Sequence, residues 1–241
     1  MKANKKYSPT LEEEMALCEQ GYSCIAGLDE AGRGCLAGPV VAAAVILPIK
    51  DDTFTRFAGV NDSKQLTMTM RKRLYDVIYQ HALAVGVGFG SVELIDEHNI
   101  LQATKQAMRN ALTQLSLPPQ ALLLDALLLK DIALPQRSLI KGDARSLSIA
   151  AASIIAKVTR DRLMLQLHEQ YPVYGFAQHK GYGTELHLAA LHEYGVTPHH
   201  RRSFAPVREQ IQLLASKNGE IAVYSAEKQK NGLRQAQLDL F

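Results

Sequence analysis

The segment IAGLDEAGRG, from Ile25 to Gly34, combines an apolar run, two adjacent carboxylates and an arginine between glycines. Ile25 to Leu28 has the character of a short buried strand, and the glycines allow close backbone approach or positive φ after it. Carboxylates beside an apolar strand are costly unless cations compensate their charge. Taken alone, the segment is equally compatible with a metal-binding sheet edge and with a solvated turn after an edge strand.

The bulk composition is that of an ordinary soluble protein. The chain has 241 residues, of which 47% are hydrophobic and 21% charged, so it can bury a full core as one domain or as one domain with a small appendage. A net charge of +3 and a pI near 8.7 suit a polyanionic partner without requiring one. Cys18, Cys24 and Cys35 lack the spacing of a zinc site or a disulfide framework, which indicates reduced thiols.

The N-terminal residues show no signal-peptide pattern, because no apolar region follows the early lysines. The most apolar run, Val40 to Leu47, lies between two prolines and is much shorter than the roughly 20 residues of a membrane helix. We therefore expect a cytoplasmic protein.

Hydrophobic periodicity predicts strands alternating with helices, an order that favours a mixed α/β sheet. The predicted helices cover 11–19, with Thr10 and Glu13 as a capping box, about 68–81, 92–117 as one long or two short helices, 148–171, and a helix to Tyr194 capped by Thr184. The predicted strands are 25–28, 40–47, 83–92 and 121–124, followed by an extended segment at 139–140. Residues 175–183 are predicted to form a loop.

Acidic residues recur where the predicted strands end. Asp125 follows the apolar run Ala121 to Leu124, and Asp143 follows a short apolar pair and Gly142. If these acids converge with Asp29 and Glu30, divalent cations with oxygen preference would relieve their repulsion. Two Mg²⁺ ions fit such a ligand set and support in-line displacement at phosphorus.

Five ordered segments between about Ser23 and Val207 resemble the ribonuclease HII family, the type 2 ribonucleases H. They are GLDEAGRG at 27–34, NDSK at 61–64, KGD at 141–143, AAASIIAKVTRD at 150–161 and YGFAQHKGY at 174–182. The resemblance implies an RNase H-like fold, a mixed five-stranded sheet flanked by helices, with a helical C-terminal extension. It also implies Mg²⁺- or Mn²⁺-dependent hydrolysis of RNA in RNA–DNA hybrids and incision at single ribonucleotides in duplex DNA, leaving 5′-phosphomonoesters.

The resemblance also assigns roles to individual positions. Asp29, Glu30, Asp125 and Asp143 correspond to the four catalytic, metal-binding acids of the family. Gly32, Arg33 and Gly34 correspond to its ribose-sensing loop, and Tyr182 to the tyrosine that stacks on the sugar beyond the junction. Glycines suit this task, since they let backbone groups reach a minor groove in which the 2′-hydroxyl distinguishes RNA from DNA.

Three positions depart from the family pattern. Asp125 is followed by Ala126-Leu127, where the family usually has Gly-Asn, so its assignment rests on strand context and on its distance from Asp143. Cys35 replaces a common proline, and Gly183 leaves its loop freer than a proline would. None of these changes removes an expected metal ligand.

Several other polar residues have competing explanations. Six basic residues could either contact phosphates or form a solvated cationic face. They are Lys64, Lys157, Arg160, Lys180, Arg201 and Arg202. We favour substrate binding for Lys64, which lies inside a family motif, whereas a helix partner three or four residues away is equally plausible for Arg160. Loop or packing roles are expected for His179, His199 and His200, and caps or surface ions for Asp62, Asp96, Glu97 and Asp161.

The C-terminal segment Gln237-Leu238-Asp239-Leu240-Phe241 restores hydrophobicity after a polar stretch. It looks like the bacterial sliding-clamp binding peptide, with Gln237, Leu238, Leu240 and Phe241 as contacts, although a frayed end that packs on its own domain is the alternative. We expect an N-terminal extension at 1–23, a catalytic domain at 24–207 and a flexible tail at 208–241.

The leading hypothesis is therefore a monomeric endoribonuclease that acts in DNA replication and repair with two metal ions. A non-catalytic nucleic-acid binding module would use the same basic surface, but an intact set of four acids argues against it. A metal-dependent, structure-specific DNA nuclease on the same fold is the second alternative. Arg33 and Tyr182 suit a ribose junction and so argue against this DNA nuclease.

Overall fold

The computed structural model describes residues 8–50 and 52–218. The elements, in chain order, are α1 (Glu12–Cys18), β1 (Ile25–Ala31), β2 (Val40–Ile46), α2 (Thr53–Arg56), α3 (Met68–His81), β3 (Ala84–Gly90), α4 (Val92–Thr113), β4 (Ala121–Asp125), β5 (Gln136–Leu139), α5 (Leu147–Gln170), α6 (Phe176–His179), α7 (Glu185–Tyr194) and α8 (Ala205–Asn218). Single 3₁₀ turns lie at Ser63–Gln65, Gly142–Ala144 and Pro172–Tyr174.

The five strands form one mixed sheet in the order β3-β2-β1-β4-β5. β1, β2 and β3 pair antiparallel, while β1 pairs parallel with β4, and β4 pairs parallel with β5. The predicted mixed five-stranded sheet is therefore confirmed. β1 lies at its centre, so the segment that follows the apolar run Ile25 to Leu28 is held from both sides.

Helices cover both faces of the sheet, and small residues bring them close. A Cβ on Gly86 or Gly88 of β3 would lie 2.1 Å from a carbonyl oxygen of α4, and one on Gly27 of β1 would lie 2.3 Å from the Ser148 carbonyl carbon in α5. β2 is buried along its whole length, with alternate residues facing the two helical layers. The long helix α5 is thereby fixed against the central strand.

α4 consists of two helical segments, one of the two arrangements expected for residues 92–117. Asn99 has φ 71° and ψ 165°, so it divides α4 into two helical segments. Its Oδ1 atom accepts hydrogen bonds from the amides of Leu101 and Gln102, at 3.0 and 3.2 Å, and so caps the second segment.

The predicted capping box at the first helix is only half formed. The Thr10 hydroxyl accepts the Glu12 amide at 3.3 Å, but Glu13 pairs with Arg145 instead of completing the box. The neighbouring Glu14 is buried and accepts hydrogen bonds from Ser146 and Ser148 at 2.6 Å. The acids of α1 therefore hold the start of α5, a long-range contact that local sequence spacing does not reveal.

The C-terminal part is more helical than predicted. Residues 176–179, expected within a loop, form one helical turn, and α8 crosses the expected boundary at 207–208. Residues 208–218 are therefore helix rather than tail, because Val207 and Gln210 are buried and Ile211 packs beside Val207. Among residues 8–50 and 52–218, no helix combines the length and apolar character required to cross a bilayer.

Candidate active site

The first two acids lie within the central strand rather than in a turn after it. β1 extends through Asp29 and Glu30 to Ala31, because these residues continue the pairing with β2, with Asp29 opposite Ala43. The solvated-turn alternative is therefore wrong. On the other side, Leu28 pairs with Leu124 of the parallel β4, so Asp29 and Asp125 follow at the same level on neighbouring strands.

Asp143 joins this group through an unusual backbone. Lys141 adopts a left-handed conformation at φ 56°, and the chain then turns so that the Gly142 amide donates to Asp125 Oδ1 at 2.7 Å. A Cβ on Gly142 would lie 2.7 Å from the Ile149 side chain, so this turn suits glycine. The turn places Asp143, which is largely buried, next to Asp125.

The electrostatics show that the four carboxylates share one region. Burial raises the pKa of Asp29 well above its usual value, and the Glu30 and Asp125 carboxylates raise it further. Burial, with Asp62 and Asp125 close by, raises the pKa of Asp143 to about 6. The acids therefore repel one another in a setting where a cation would be favoured.

Two protein cations compensate part of this charge. Arg33 Nη1 lies 3.2 Å from Glu30 Oε1, while the second carboxylate oxygen of Glu30 is buried without a hydrogen-bond partner. Lys64 Nζ lies 3.7 Å from Asp143 Oδ2, and although burial lowers the pKa of Lys64, Asp29 and Asp143 raise it to a net value above normal. One exposed lysine and one exposed arginine do not neutralise four acids.

The described residues contain no group of three or more His, Cys, Asp or Glu side chains already arranged around a common metal position. The acids instead face available donors: Asp125 faces the Gly142 amide, Glu30 faces Arg33, and Asp143 faces Lys64. The chemistry of the set nevertheless fits hard cations, since it offers only carboxylate oxygens, one of them unpartnered. Binding an ion would replace some of these donor contacts.

The loop after β1 is held from inside the protein by two buried arginines. Arg201 donates to the carbonyl oxygens of Gly32 at 2.7 Å, Arg33 at 2.8 Å and Gly38 at 2.8 Å. Arg160 packs against Gly32 so closely that a Cβ there would lie 1.9 Å from its Nε atom.

Arg160 and Arg201 therefore do not form part of a phosphate-binding face, which was one expectation for them. Arg160 is 1% exposed and Arg201 0%, and the donors of both guanidinium groups bind backbone carbonyls. Arg160 also lacks the suggested partner within its own helix, because its Nη1 and Nη2 atoms reach the carbonyls of Lys180 and Ala37. Arg202, in contrast, is exposed.

Tyr182 lies on a loop that is directly attached to the arginine-containing loop. The Leu36 amide donates to the Gly181 carbonyl at 2.8 Å, and Arg160 holds the Lys180 carbonyl at 2.8 Å. The Tyr182 side chain is 44% exposed, which leaves it accessible to a ligand. Gly32, Arg33, Gly34 and Tyr182 thus belong to one surface region at the end of β1.

Three contributors to this site are not apparent from the sequence. Asp62 caps a 3₁₀ turn as expected, accepting from the Lys64 amide at 2.9 Å, but it also lies beside Asp143. The sequence suggests a phosphate contact or a solvated face for Arg160 and Arg201, and a helix partner as a further option for Arg160, but not the interior positions that both occupy. One signal in the sequence points to a buried Arg160: the run of small and apolar residues at 150–156 that precedes it in the same helix.

The clamp-peptide residues Gln237, Leu238, Leu240 and Phe241 lie outside the described residues. The cysteines Cys18, Cys24 and Cys35 are free thiols, as expected. His179 and His200 are buried, and His199 is half-buried against Tyr171, in agreement with the expected packing role.

Comparisons with known proteins agree with this arrangement. A sequence model described as Ribonuclease HII matches residues 26–207. Proteins named Ribonuclease HII from Bacillus cereus (strain Q1) and from Bacillus mycoides are each 54% identical over 211 residues, covering 88% of this chain and 80% of theirs.

Solved structures show the same fold. Ribonuclease H2 from Pyrococcus horikoshii OT3 has a TM-score of 0.67 and 31% identity, covering 81% of this chain and 100% of that chain. RNase HII from Archaeoglobus fulgidus, solved as a complex with PCNA, has a TM-score of 0.65 and 28% identity, covering 76% of this chain and 95% of that chain. The expected RNase H-like fold is confirmed, and the chain belongs to the ribonuclease HII family of type 2 ribonuclease H hydrolases.

Proposed function

We propose that this enzyme hydrolyses RNA in RNA–DNA hybrids and incises duplex DNA at embedded ribonucleotides, using two divalent metal ions held by Asp29, Glu30, Asp125 and Asp143. The observation that carries the metal site is the convergence of these acids, whose mutual repulsion raises the pKa of Asp29 and of Asp143 in addition to burial. Mg²⁺ and Mn²⁺ are the ions that such oxygen donors suit.

The four acids would hold the ions, which would supply Lewis acidity for hydrolysis of the phosphodiester. Asp29 and Asp125, on neighbouring strands, provide the rigid part of the ligand set, and the Gly142 amide fixes the orientation of Asp125. Lys64, exposed and 3.7 Å from Asp143, would be available to contact a phosphate of the substrate. Hydrolysis on this arrangement leaves a 5′-phosphate and a 3′-hydroxyl.

Recognition of ribose is assigned to Gly32, Arg33, Gly34 and Tyr182. The carbonyls of Gly32 and Arg33 are occupied by Arg201, so this loop has a defined orientation before substrate arrives. A Cβ built on Gly34 would meet nothing within 4 Å, so the space beside this residue is open to a close approach by the minor groove. The exposed ring of Tyr182 can stack against a sugar beside the ribonucleotide.

The decisive experiment is cleavage of a DNA duplex that contains one ribonucleotide, with an all-DNA duplex as control, in Mg²⁺, in Mn²⁺ and in a chelator. We expect one cut beside the ribonucleotide, dependent on either metal, and no cut in the control. Equal cleavage of both duplexes would instead support a DNA nuclease. Binding without cleavage in either metal would support a non-catalytic binding module.

We also propose that the C-terminal peptide Gln237 to Phe241 binds a replication sliding clamp, with the enzyme itself a cytoplasmic monomer. The complex of PCNA with RNase HII from Archaeoglobus fulgidus supports a partner of this class. Deletion of residues 237–241 is expected to abolish capture by a bacterial clamp and to leave hydrolysis of free substrate unchanged. Retained capture after the deletion would contradict this proposal.

A further inference from the structure

A buried pair of histidines lies directly behind the loop that carries Tyr182. His187 of α7 and His200 of the segment before α8 are both fully buried, and their Nε2 atoms are 3.1 Å apart. His200 Nδ1 faces the Thr197 amide at 2.9 Å, and His187 Nδ1 faces the Tyr182 carbonyl oxygen at 2.9 Å. The pair therefore connects Thr197 to the backbone of Tyr182.

The donors and acceptors at the two ends assign the tautomer of each ring. The Thr197 amide can only donate, and the Thr197 hydroxyl, also 2.9 Å from His200 Nδ1, accepts from the His199 amide and can donate its own proton to the ring. His200 Nδ1 therefore carries no proton and His200 Nε2 carries one. His200 Nε2 then donates to His187 Nε2, and His187 holds its own proton on Nδ1. The Tyr182 carbonyl, which can only accept, receives that proton, so the chain of hydrogen bonds is consistent from both ends.

Burial keeps both rings neutral, as this chain requires. It lowers the pKa of His187 to about 4 and, together with the neighbouring His187, lowers that of His200 to about 3. A third ring, His179, stacks on His187 with centroids 4.5 Å apart and accepts the Gly181 amide at 3.1 Å.

The backbone next to Tyr182 adopts conformations that need support from surrounding contacts. Lys180 and Gly181 have φ of 51° and 84°, and Gly181 packs against the Ala37 carbonyl, which lies 2.6 Å from the position of a Cβ. The Tyr182 carbonyl also accepts the Thr184 amide at 2.9 Å, where α7 begins. The ring of Tyr182 is partly exposed, and its hydroxyl group meets the Cys35 side chain. Contacts made by the main chain of Tyr182 therefore provide much of the support for its orientation.

We propose that His187 and His200 are positioning residues for Tyr182: their hydrogen-bonded pair fixes the Tyr182 carbonyl and thereby aligns the tyrosine ring with the substrate sugar. This inference rests on the substrate assignment under Proposed function. The adjacent residue Arg201 holds Gly32 and Arg33, so the segment 197–201 supports both parts of the ribose-recognition surface.

The first test requires no variant and no substrate. The ring nitrogens of the ¹⁵N-labelled full chain are observed by NMR at pH 7. We expect neutral rings with the proton on Nδ1 of His187 and on Nε2 of His200. The opposite tautomers, or a charged ring at pH 7, would overturn the proposal.

The second test compares two substitutions of His187. Asn places an amide donor near the position of Nδ1, whereas Phe fills the space with no donor. On a duplex with one ribonucleotide, we expect His187→Phe to lower kcat about tenfold or more with KM nearly unchanged, since a small misplacement slows the chemical step. His187→Asn is expected to stay within about threefold of wild type. Equal losses in both variants would show a purely structural role.

The matched control is His192→Phe, on the exposed face of the same helix, which is expected to leave kcat and KM unchanged. If His187→Phe does not fold, the same comparison is made at His200. His200→Gln retains a donor near the position of Nε2, whereas His200→Met removes it. Equal kcat values in these two variants would contradict the proposal. Hydrogen exchange at the Thr184 amide is measured in parallel and is expected to quicken only when the donor is lost. This readout separates a failure of positioning from a failure of the substrate assignment.

Discussion

Arg201 Nη2 donates to the carbonyl oxygen of Gly32 at 2.7 Å, joining residues 169 positions apart in the chain. The guanidinium is fully buried, and burial beside Arg160 lowers its pKa to about 10. A planar group with five donors can satisfy several carbonyls at once, which an ammonium group cannot do in the same geometry. The loop that we propose to recognise ribose is thus oriented by a residue that is distant in the sequence.

Arg201→Lys is therefore expected to impair the enzyme even though the charge is kept. Lysine cannot bind Gly32, Arg33 and Gly38 together, so we expect kcat/KM on the single-ribonucleotide duplex to fall about tenfold or more. Steady-state kinetics and a thermal melt measure the effect. Arg202→Lys is the matched control, because the Arg202 side chain is exposed; equal behaviour of the two variants would contradict the assigned role.

Gly32→Ala and Gly34→Ala are expected to differ in stability. Gly32 has φ 95°, and an added Cβ would lie 1.9 Å from Arg160 Nε, whereas a Cβ on Gly34 meets nothing within 4 Å. We expect Gly32→Ala to lower the free energy of unfolding by about 2–4 kcal/mol and Gly34→Ala to change it by less than about 1 kcal/mol. Denaturant melts of both variants measure this; similar values would argue against the close packing of Arg160 on Gly32.

Asp125→Asn is expected to nearly abolish turnover in Mg²⁺ while binding of the substrate is largely retained. The amide keeps the shape of the side chain but removes a negative ligand from the acid cluster, and losing a metal-ligating charge of this kind slows catalysis by orders of magnitude. Single-turnover kinetics and a binding titration separate the two effects. Asp131→Asn, at an exposed pair with Arg109, serves as control; a near-normal rate for Asp125→Asn would refute the site assignment.

The acid cluster also predicts how stability depends on pH in a chelator. Because the pKa of Asp143 is raised to about 6 in the folded state, the stability it contributes is fully present below its unfolded pKa and is lost as the pH rises through 6. Asp143→Asn is therefore expected to raise the free energy of unfolding at pH 7.5 by on the order of 1–2 kcal/mol, after allowance for solvent screening, and to leave it nearly unchanged at pH 4. The measured quantity is the difference in the free energy of unfolding between Asp143→Asn and the wild type at each pH.

Mg²⁺ provides the corresponding control for that prediction. The ion should raise the melting temperature of the wild type at pH 7.5 and lose this effect near pH 4, where the acids are protonated. Asp143→Asn should reduce the effect at the higher pH. Stabilisation by Mg²⁺ that is equal at both pH values would contradict the proposed ligand set.

Much of the fold was predictable because apolar runs and caps are local signals. The long helix after Ser146, the cap of α7 at Thr184 and four of the strands follow from periodicity and capping residues. The predictions are wrong where contacts with residues distant in the sequence determine the local structure. Glu13 pairs with Arg145 instead of completing a capping box. Residues 208–218 remain helical because Val207 and Gln210 are buried.

The sequence by itself determined the central strand, the acids that follow its apolar run and the family to which the chain belongs, since these features lie in short contiguous segments. Only the tertiary structure decided that Asp29 and Glu30 continue the strand, because pairing with β2 and β4 satisfies the backbone on both sides of β1. It also decided that Arg160 and Arg201 are internal. A buried guanidinium needs several acceptors at once, and here loops that are distant in sequence supply them.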